Sequence, residues 1–405
     1  MQTILIFSKS RTASDPRVRK QVEFLSRRYG IINLGFGVYE YPGVDHVDLA
    51  GKVPCSADKV PYGKILRAIE EKRLLATLFS KASRYAPRWM PFVHTVLKDF
   101  LAHRVGAAVV LRRILHSRKI DLIIANDFSA LSTCVWAAKG RKVLYDAHEY
   151  TLGQASHNLA WMREHFPYIR YALSKYLPRC SKVMTVSDGI ADEYTRVFGI
   201  PRPDIIRNAA PFVDQRPSMV SSGRIRIVHH GVAARQRSLE TMIEAVLGCE
   251  DRFELDFFLV ATDTAYLSEL KALVGSSPRI HFREPVAMTL LSRTLNEYDI
   301  GLYILPPTNF NHIHALPNKI FEFIQARLAI AVAPSPEMAN LVRTYDLGVV
   351  AEDHSVKAMI TALSNLSDSQ IEHFKRNSDL HAKELSAESE MNRLENIVET
   401  LLTQH

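Results

Sequence analysis

Thr3-Ile4-Leu5-Ile6-Phe7, then Ser8-Lys9-Ser10-Arg11-Thr12-Ala13-Ser14-Asp15, then Pro16-Arg17-Val18-Arg19-Lys20 reads as a buried strand, a polar loop and the start of a helix. The apolar run is short and β-branched, which suits a strand. Asp15 before Pro16 is a helix-start pair, because the carboxylate caps open amides and proline fits the first helical turn. The amphipathic stretch Val18 to Arg28 follows, and then a second apolar run, Ile31 to Phe36. A strand, a covering helix and another strand at this spacing make the repeating unit of a parallel sheet.

The same rhythm continues through Leu122 to Ala125, Lys142 to Tyr145 and Val183 to Val186. It breaks at Asn208 to Gly223, a Pro- and Ser-rich stretch with neither period, which reads as a linker. A second series then begins, with strands expected at Ile225 to His229, Leu255 to Val260, Arg279 to Phe282, Ile300 to Ile304, Ala329 to Ala333 and Gly348 to Val350. The expected organisation is an α/β domain over 1–207, a linker over 208–224 and a second α/β domain over 225–384. Ala387 to Leu402 reads as helical, and residues 385–405 are expected to pack back onto the first domain. No solenoid-period repeat and no low-complexity tract interrupts this plan.

The 405 residues are 47% hydrophobic and 23% charged, enough for two cores and unlike a disordered chain. Cys55, Cys134, Cys180 and Cys249 lie far apart, so neither a disulfide framework nor a zinc site is expected. The first residues lack a signal-peptide pattern and no segment reaches the length of a membrane span, so a cytoplasmic protein is expected. The net charge of +8 is uneven: Lys59 to Lys119 holds 14 Lys or Arg against Glu70, Glu71 and Asp99. Within it Arg84-Tyr-Ala-Pro-Arg88-Trp89-Met90-Pro-Phe92-Val mixes cations with large apolar groups, as at a surface that meets anionic lipid on the inner leaflet. An ordinary solvated helical face is the other reading. No nucleic-acid recognition motif accompanies the patch, and no nucleic-acid partner is expected.

Several strand ends carry chemistry. The loop holding Arg11, Asp15 and Arg17 sits where open α/β sheets gather ligands, and a helix N-terminus with nearby cations attracts phosphate or an acidic acceptor; the alternative is a capped surface helix. Gly35-Phe-Gly37 does not complete a dinucleotide fingerprint, since Glu40 stands at the third glycine's place, which weakens a dehydrogenase reading. Asp146-Ala-His148-Glu149 places two carboxylates and an imidazole at another strand end, where His148 can meet a hydroxyl or a developing charge. Gly231-Val-Ala-Ala-Arg235-Gln-Arg237 is a glycine-started loop whose guanidinium forks suit a diphosphate, without the lysine pattern of a nucleotide-hydrolysing P-loop. Leu316-Pro-Asn318-Lys319-Ile-Phe-Glu322 opens a helix, with Glu322 placed to grip two vicinal ribose hydroxyls or to be a plain surface acid. Pro334-Ser335-Pro336-Glu337 is a second candidate phosphate cradle at a helix start.

Taken in order, these motifs, with Val186-Ser187-Asp188 and Ile206-Arg-Asn208, resemble the retaining glycosyltransferases of the GT-B fold, in particular the large fourth family that uses nucleotide-diphosphate sugars. The resemblance runs over nearly the whole chain. It implies two Rossmann-like domains facing each other across a cleft, the first for the acceptor and the second for the donor. It makes Arg237 the cation that neutralises the leaving diphosphate, six residues after Gly231, and Glu322 the ribose ligand. His148 matches a histidine that approaches the donor sugar, and the backbone of Ser335 through Glu337 faces the phosphates. Two departures stand out: Val232 where many members carry arginine, with Arg235 a substitute cation, and His314 where the pattern has its first glutamate. Asn318 and Lys319 flank the ribose ligand on the donor side. The resemblance implies retention of configuration and no obligatory metal or cofactor, and no Asp-x-Asp pair occurs in the chain to hold one.

The expected function is therefore sugar transfer from a nucleotide-diphosphate donor to a lipid-linked or other glycan acceptor in surface-polysaccharide or glycoconjugate synthesis. A sugar-nucleotide epimerase of the same architecture and an inactive sugar-nucleotide-binding scaffold are the alternatives.

Overall fold

The computed structural model describes residues 1–37, 39–49, 95, 99, 107–154 and 159–403. Most of the basic stretch Lys59 to Lys119, including Arg84 to Val93 and the lipid contact expected of it, lies outside the described residues.

The chain divides into two units, Met1–Val186 with Ile190–Ile205 and Leu394–His405, and Ser187–Gly189 with Ile206–Arg393. The first contains a parallel sheet of seven strands: β1 (Thr3–Arg11), β2 (Gly30–Phe36), β3 (Val44–Asp48), β4 (Leu122–Asn126), β5 (Lys142–Ala147), β6 (Lys182–Thr185) and β7 (Asp204–Ile205), in the order β3-β2-β1-β4-β5-β6-β7. Ile4 through Phe7 and Leu122 through Ala125 are fully buried, because helices cover both faces of a parallel sheet. Described helices here are α1 (Pro16–Leu25), α2 (Ala107–Ser117), α3 (Phe128–Ala138), α4 (Leu159–Tyr176) and α5 (Asp188–Phe198). Asp15 caps α1, its Oδ1 accepting from the amides of Arg17 at 3.1 Å and Val18 at 3.2 Å.

The second unit repeats the plan with β8 (Ile225–Ala233), β9 (Phe253–Ala261), β10 (Ile280–Arg283), β11 (Ile300–Tyr303), β12 (Ala329–Val332) and β13 (Gly348–Val350), in the order β10-β9-β8-β11-β12-β13. Its helices are α6 (Glu240–Leu247), α7 (Thr264–Val274), α8 (Met288–Leu295), α9 (Phe310–Ile313), α10 (Asn318–Gln325), α11 (Pro336–Thr344), α12 (Val356–Ser364) and α13 (Asp368–His381). The last helix, α14 (Ala387–Thr403), begins in this unit and ends in the first. Both units are Rossmann-like, and in each the strand order reverses beside the first strand, between β1 and β4 and between β8 and β11. Loops at those reversals part and leave room for a ligand.

Four details differ from the sequence expectation. β1 runs on to Arg11, because a shift in register after Phe7 lets Arg11 pair with Phe36. β3 and β7 are edge strands, Val-Asp-His-Val-Asp and Asp-Ile, without the apolar run that marks a central strand. The segment 208–224 is packed rather than free: Ala209 and Ala210 join the second unit's core, Gln215 Nε2 donates to the Gln325 carbonyl at 2.7 Å, and Ser218 Oγ donates to the Asn296 carbonyl at 2.6 Å. Only Leu394–His405 joins the first unit, since the Ala387 amide donates to the Ala210 carbonyl at 2.8 Å and Glu390 accepts from the Arg207 amide at 2.9 Å. Beyond that point Val398 and Leu401 are buried and Arg28 pairs with Glu395 and Glu399.

One packing contact sets where α10 lies. A Cβ on Gly301 would fall 2.3 Å from the ring of Phe323, itself fully buried, so β11 accepts α10 only because residue 301 has no side chain. Gly301→Ala is expected to cost about 1–3 kcal/mol through this overpacking, read as a lower denaturant midpoint.

Candidate active site

The second unit's candidate residues collect where β8 ends beside β11. Gly231 has φ +125°, a region that side-chained residues avoid. A Cβ placed there would meet Lys319 Nζ at 2.7 Å and Arg237 Nη1 at 3.4 Å. Two cations, one from the loop after β8 and one from the first turn of α10, thus converge on the bare backbone of one glycine. Among the described residues neither forms an ion pair. Arg237 Nη1 is buried without a hydrogen-bond partner. Lys319 is only 8% exposed, and its ammonium stands 5.4 Å from the centre of the Tyr303 ring. Burial first, and then repulsion from Arg237, push Lys319 down to about 8, against the pull of Glu322.

Glu322 is one turn along α10, buried, with Oε2 3.1 Å from His230 Nε2, a close approach that does not form a hydrogen bond. The His230 ring is held edge-on to Phe323 at 5.6 Å. Its neighbour His229 is fully buried, shares Nδ1 with the Leu302 carbonyl at 2.9 Å, and is held far below its usual pKa by burial and then by Lys319.

Ser335 precedes α11 at the end of β12, is 1% exposed, and its Oγ has no hydrogen-bond partner. All six strands are parallel, so this helix start lies along the same carboxyl edge as Gly231. Glu337 turns to His314, Oε1 to Nδ1 at 3.2 Å, while the His314 ring packs on Phe310 at 4.6 Å. Asn318 is half-buried at the first position of α10. Arg235 does not join the group at Gly231: its guanidinium is exposed and paired with Glu269 at 2.6 Å and Asp263 at 3.3 Å, so it is no substitute for the cation missing at Val232.

In the first unit the structure gives the expected phosphate-loop residues other work. Asp15 caps α1 and accepts from Ser10 Oγ at 2.6 Å. Arg17 turns inward and forks onto the fully buried Asp146, Nε to Oδ2 at 2.7 Å and Nη2 to Oδ1 at 2.6 Å, with Gln21 Nε2 also donating at 2.6 Å. That pairing removes Arg17 as a surface cation for an anion; Arg11 remains exposed at the end of β1. Burial alone would raise the Asp146 pKa, but Arg17 and then His148 outweigh it and hold the carboxyl well below the usual range. His148 Nε2 lies 3.5 Å from Asp146 and 3.2 Å from Asn126 Oδ1. Burial pushes its pKa down and Asp146 more than reverses this, leaving it raised. Gln21, Asn126 and His230 have no motif around them that marks them in the sequence; their positions follow only from which strands become neighbours.

Among the described residues no group of three or more His, Cys, Asp or Glu is arranged to hold a metal ion, and no helix is long and apolar enough to cross a membrane. Residues 72–211 match the model of Glycosyltransferase Family 4. No curated protein sequence matches the chain. Among solved structures, a glycosyltransferase from Rickettsia africae aligns at TM-score 0.67 and 12% identity, covering 100% of this chain and 99% of that one. Anabaena HepE in complex with UDP and glucose aligns at 0.67 and 12%, covering 99% and 100%. WaaG, a glycosyltransferase involved in lipopolysaccharide biosynthesis, aligns at 0.60 and 11%, covering 98% and 99%. At these identities the solved structures establish the fold, which is GT-B. Over residues 72–211, about a third of its length, the chain is in addition similar to the glycosyltransferases of family 4.

The Arg17–Asp146–His148 chain makes a prediction whose sign can be worked out. His148 has a raised folded pKa, so its contribution to stability is present at low pH and lost as pH rises through that value. Asp146 is depressed, so its contribution is present above the unfolded carboxylate pKa of about 3.9 and lost as pH falls below it. Asp146→Asn is expected to move the His148 ring titration, followed by NMR, to lower pH. Arg17→Met should move it higher and cost about 3–5 kcal/mol in chemical denaturation, because it strands a buried carboxylate.

Proposed function

We propose that the protein moves a sugar from a nucleoside-diphosphate donor, with retention of configuration, to a lipid-linked or other glycan acceptor in surface-polysaccharide or glycoconjugate synthesis. The observation that carries this reading is the positive charge of Arg237 beside Gly231, unmatched among the described residues, where the start of α10 also arrives, the helix that carries the buried carboxylate Glu322. A departing diphosphate is the chemical complement of that charge, and vicinal hydroxyls are that of Glu322.

In this reading the second unit holds the donor. Arg237 meets the charge that develops on the diphosphate as the glycosidic bond breaks, and the amides at the start of α11 with Ser335 Oγ add donors on the same sheet edge. Because these groups are already in place, they need no reorganisation in the transition state. No obligatory metal is proposed, since protein cations take the role a divalent ion would fill. His148 in the first unit, kept basic by Asp146, is proposed to contact the transferred sugar. The carboxylates nearest the motifs are engaged: Asp146 under Arg17, Glu322 beside His230 and Glu337 on His314. That supports transfer without a covalent glycosyl-enzyme. UDP-sugars are the first donors to try, because HepE was solved with UDP and glucose. The lipid-linked acceptor rests on the basic sequence of residues 59–119, with its mixed cationic and apolar stretch Arg84 to Val93, and on an expected place at the inner leaflet; liposome sedimentation at low salt tests it.

With a cognate donor and acceptor, Arg237→Ala is expected to lower turnover about 10²–10³-fold, and Glu322→Ala to raise the donor KM. Proton NMR of the first product should show the donor's anomeric configuration. Unchanged kinetics in both folded variants would falsify the donor assignment, an inverted product the retention, and nucleoside diphosphate released without acceptor-dependent transfer the transferase reading.

A further inference from the structure

The loop after β8 offers one cation to a diphosphate, Arg237, because Val232 is apolar and Arg235 is tied to Glu269 and Asp263. A diphosphate carries more charge than one guanidinium balances. The structure contains a second cation at the same point, but on a different element. Lys319 Nζ would lie 2.7 Å from a Cβ on Gly231, closer than Arg237 Nη1 at 3.4 Å, and it reaches there from α10.

We propose that Lys319 is the second cation of the diphosphate site, supplied by helix α10 in place of a charge on the loop after β8, and that it must be protonated for the diphosphate to bind. This rests on the donor reading above and deepens it by giving the site a pH control. Three observations support it. Lys319 is buried, 8% exposed as a residue, yet among the described residues its ammonium forms neither a hydrogen bond nor an ion pair. It faces another cation whose Nη1 is equally without a partner. Finally, Gly231 keeps the space between them free of any side chain, so both charges can reach one anion over bare backbone.

The groups that face Lys319 are few. Arg237 comes from the loop after β8, Glu322 from α10 itself, His229 and His230 from β8, and Tyr303 from β11. Among the described residues only Glu322 is anionic, and it lies against His230. With burial and Arg237 against it, Lys319 sits near 8 in the free protein. An anion bound between the two cations raises that value, so binding takes up a proton when the free lysine is neutral. The sign follows. Below pH 8 the lysine is already charged and affinity is flat. Above it, the dissociation constant rises up to tenfold per pH unit, until the bound-state pKa is reached.

The experiment is calorimetric titration of the folded full-length protein with UDP and, as a base-independent probe, inorganic pyrophosphate, from pH 6.5 to 9.5 in buffers of different ionisation enthalpy. For the wild type, we expect flat affinity to about pH 8, weaker binding above, and proton uptake that appears over the same range. Lys319→Met should bind about 10–100-fold more weakly at pH 7 and lose the pH dependence, the loss expected for one charge-assisted contact. Lys319→Arg, charged at every pH tested, should bind with no break near pH 8 and no proton uptake. A Lys319→Met variant that binds like wild type while Arg237→Met binds weakly overturns the proposal and leaves the donor reading standing. Wild-type protein that binds neither UDP, GDP, ADP, dTDP nor pyrophosphate overturns both. A pH break that persists in Lys319→Arg assigns the titration elsewhere and overturns the proton requirement.

Discussion

A glycine with no side chain fixes the second unit's chemistry. Gly231, near the end of β8, has a φ of +125°, and the place a Cβ would take there lies 2.7 Å from the Lys319 ammonium and 3.4 Å from Arg237 Nη1. The helix can come this close because Gly301 in β11 admits the Phe323 ring beneath it. Phe323 in turn holds the His230 ring that lies against Glu322. Two missing side chains on neighbouring strands therefore let one cation from a helix and one from a loop converge beside a single glycine. Without either of them α10 would stand further from the sheet and that grouping would be lost.

The two units treat the same kind of residue in opposite ways. Arg17, in the first turn of α1 after β1, and Arg237, in the loop after β8, each follow the first strand of their sheet, beside a reversal of strand order. In the first unit a carboxylate from β5, two strands away, meets the guanidinium and neutralises it within the fold. A buried pair of that geometry stabilises the local arrangement, and its polarity is used up in orienting His148. In the second unit β11, the strand adjacent to β8, ends in Tyr303 and β12 in Val332, so no carboxylate meets Arg237 from the sheet. Its charge stays available. Topology, rather than residue type, separates the structural arginine from the binding one.

This contrast also marks what the sequence could and could not show. Central strands were legible because burial on both faces demands continuous apolar runs, and Ile4 to Phe7 or Leu122 to Ala125 can hardly be anything else. Edge strands such as Val44–Asp48 have only one neighbour and need no such run, so their sequence resembles a loop. Gly231 and Arg237 could be named from spacing along one loop. The partnership of Arg17 with Asp146 joins residues 129 apart and that of Arg235 with Glu269 joins residues 34 apart, and no local pattern reports either. Lys319 was named as a donor-side residue from its motif, but its nearness to Arg237 depends on how β8 and β11 lie side by side. The segment 208–224 reads as a linker because it has no period; its bonds, from Gln215 and Ser218 to backbone of the second unit 77 to 110 residues away, leave no local pattern either.

Holding a buried ammonium and a half-buried guanidinium together with no ion pair to either among the described residues is unfavourable, and a sequence selected only for stability would replace one of them with an apolar side chain. The fold keeps the arrangement because the cost is shared among rigid supports: β8 fixes Gly231, the sheet fixes α10, and Tyr303 offers its ring face to the ammonium. The same burial and the same repulsion from Arg237 push the Lys319 pKa down, because the charged form is less favourable here than in water. An anion entering the site removes the repulsion as well as making its own contacts, so part of its binding free energy is relief of strain already present in the empty protein. The same relief is largest when the anion is most highly charged. A sugar diphosphate ester carries less charge than the nucleoside diphosphate it becomes, so an unbalanced pair of cations favours the leaving group over the bound donor. Electrostatic frustration in the free site is in this way converted into a preference for the charge distribution that develops as the bond breaks.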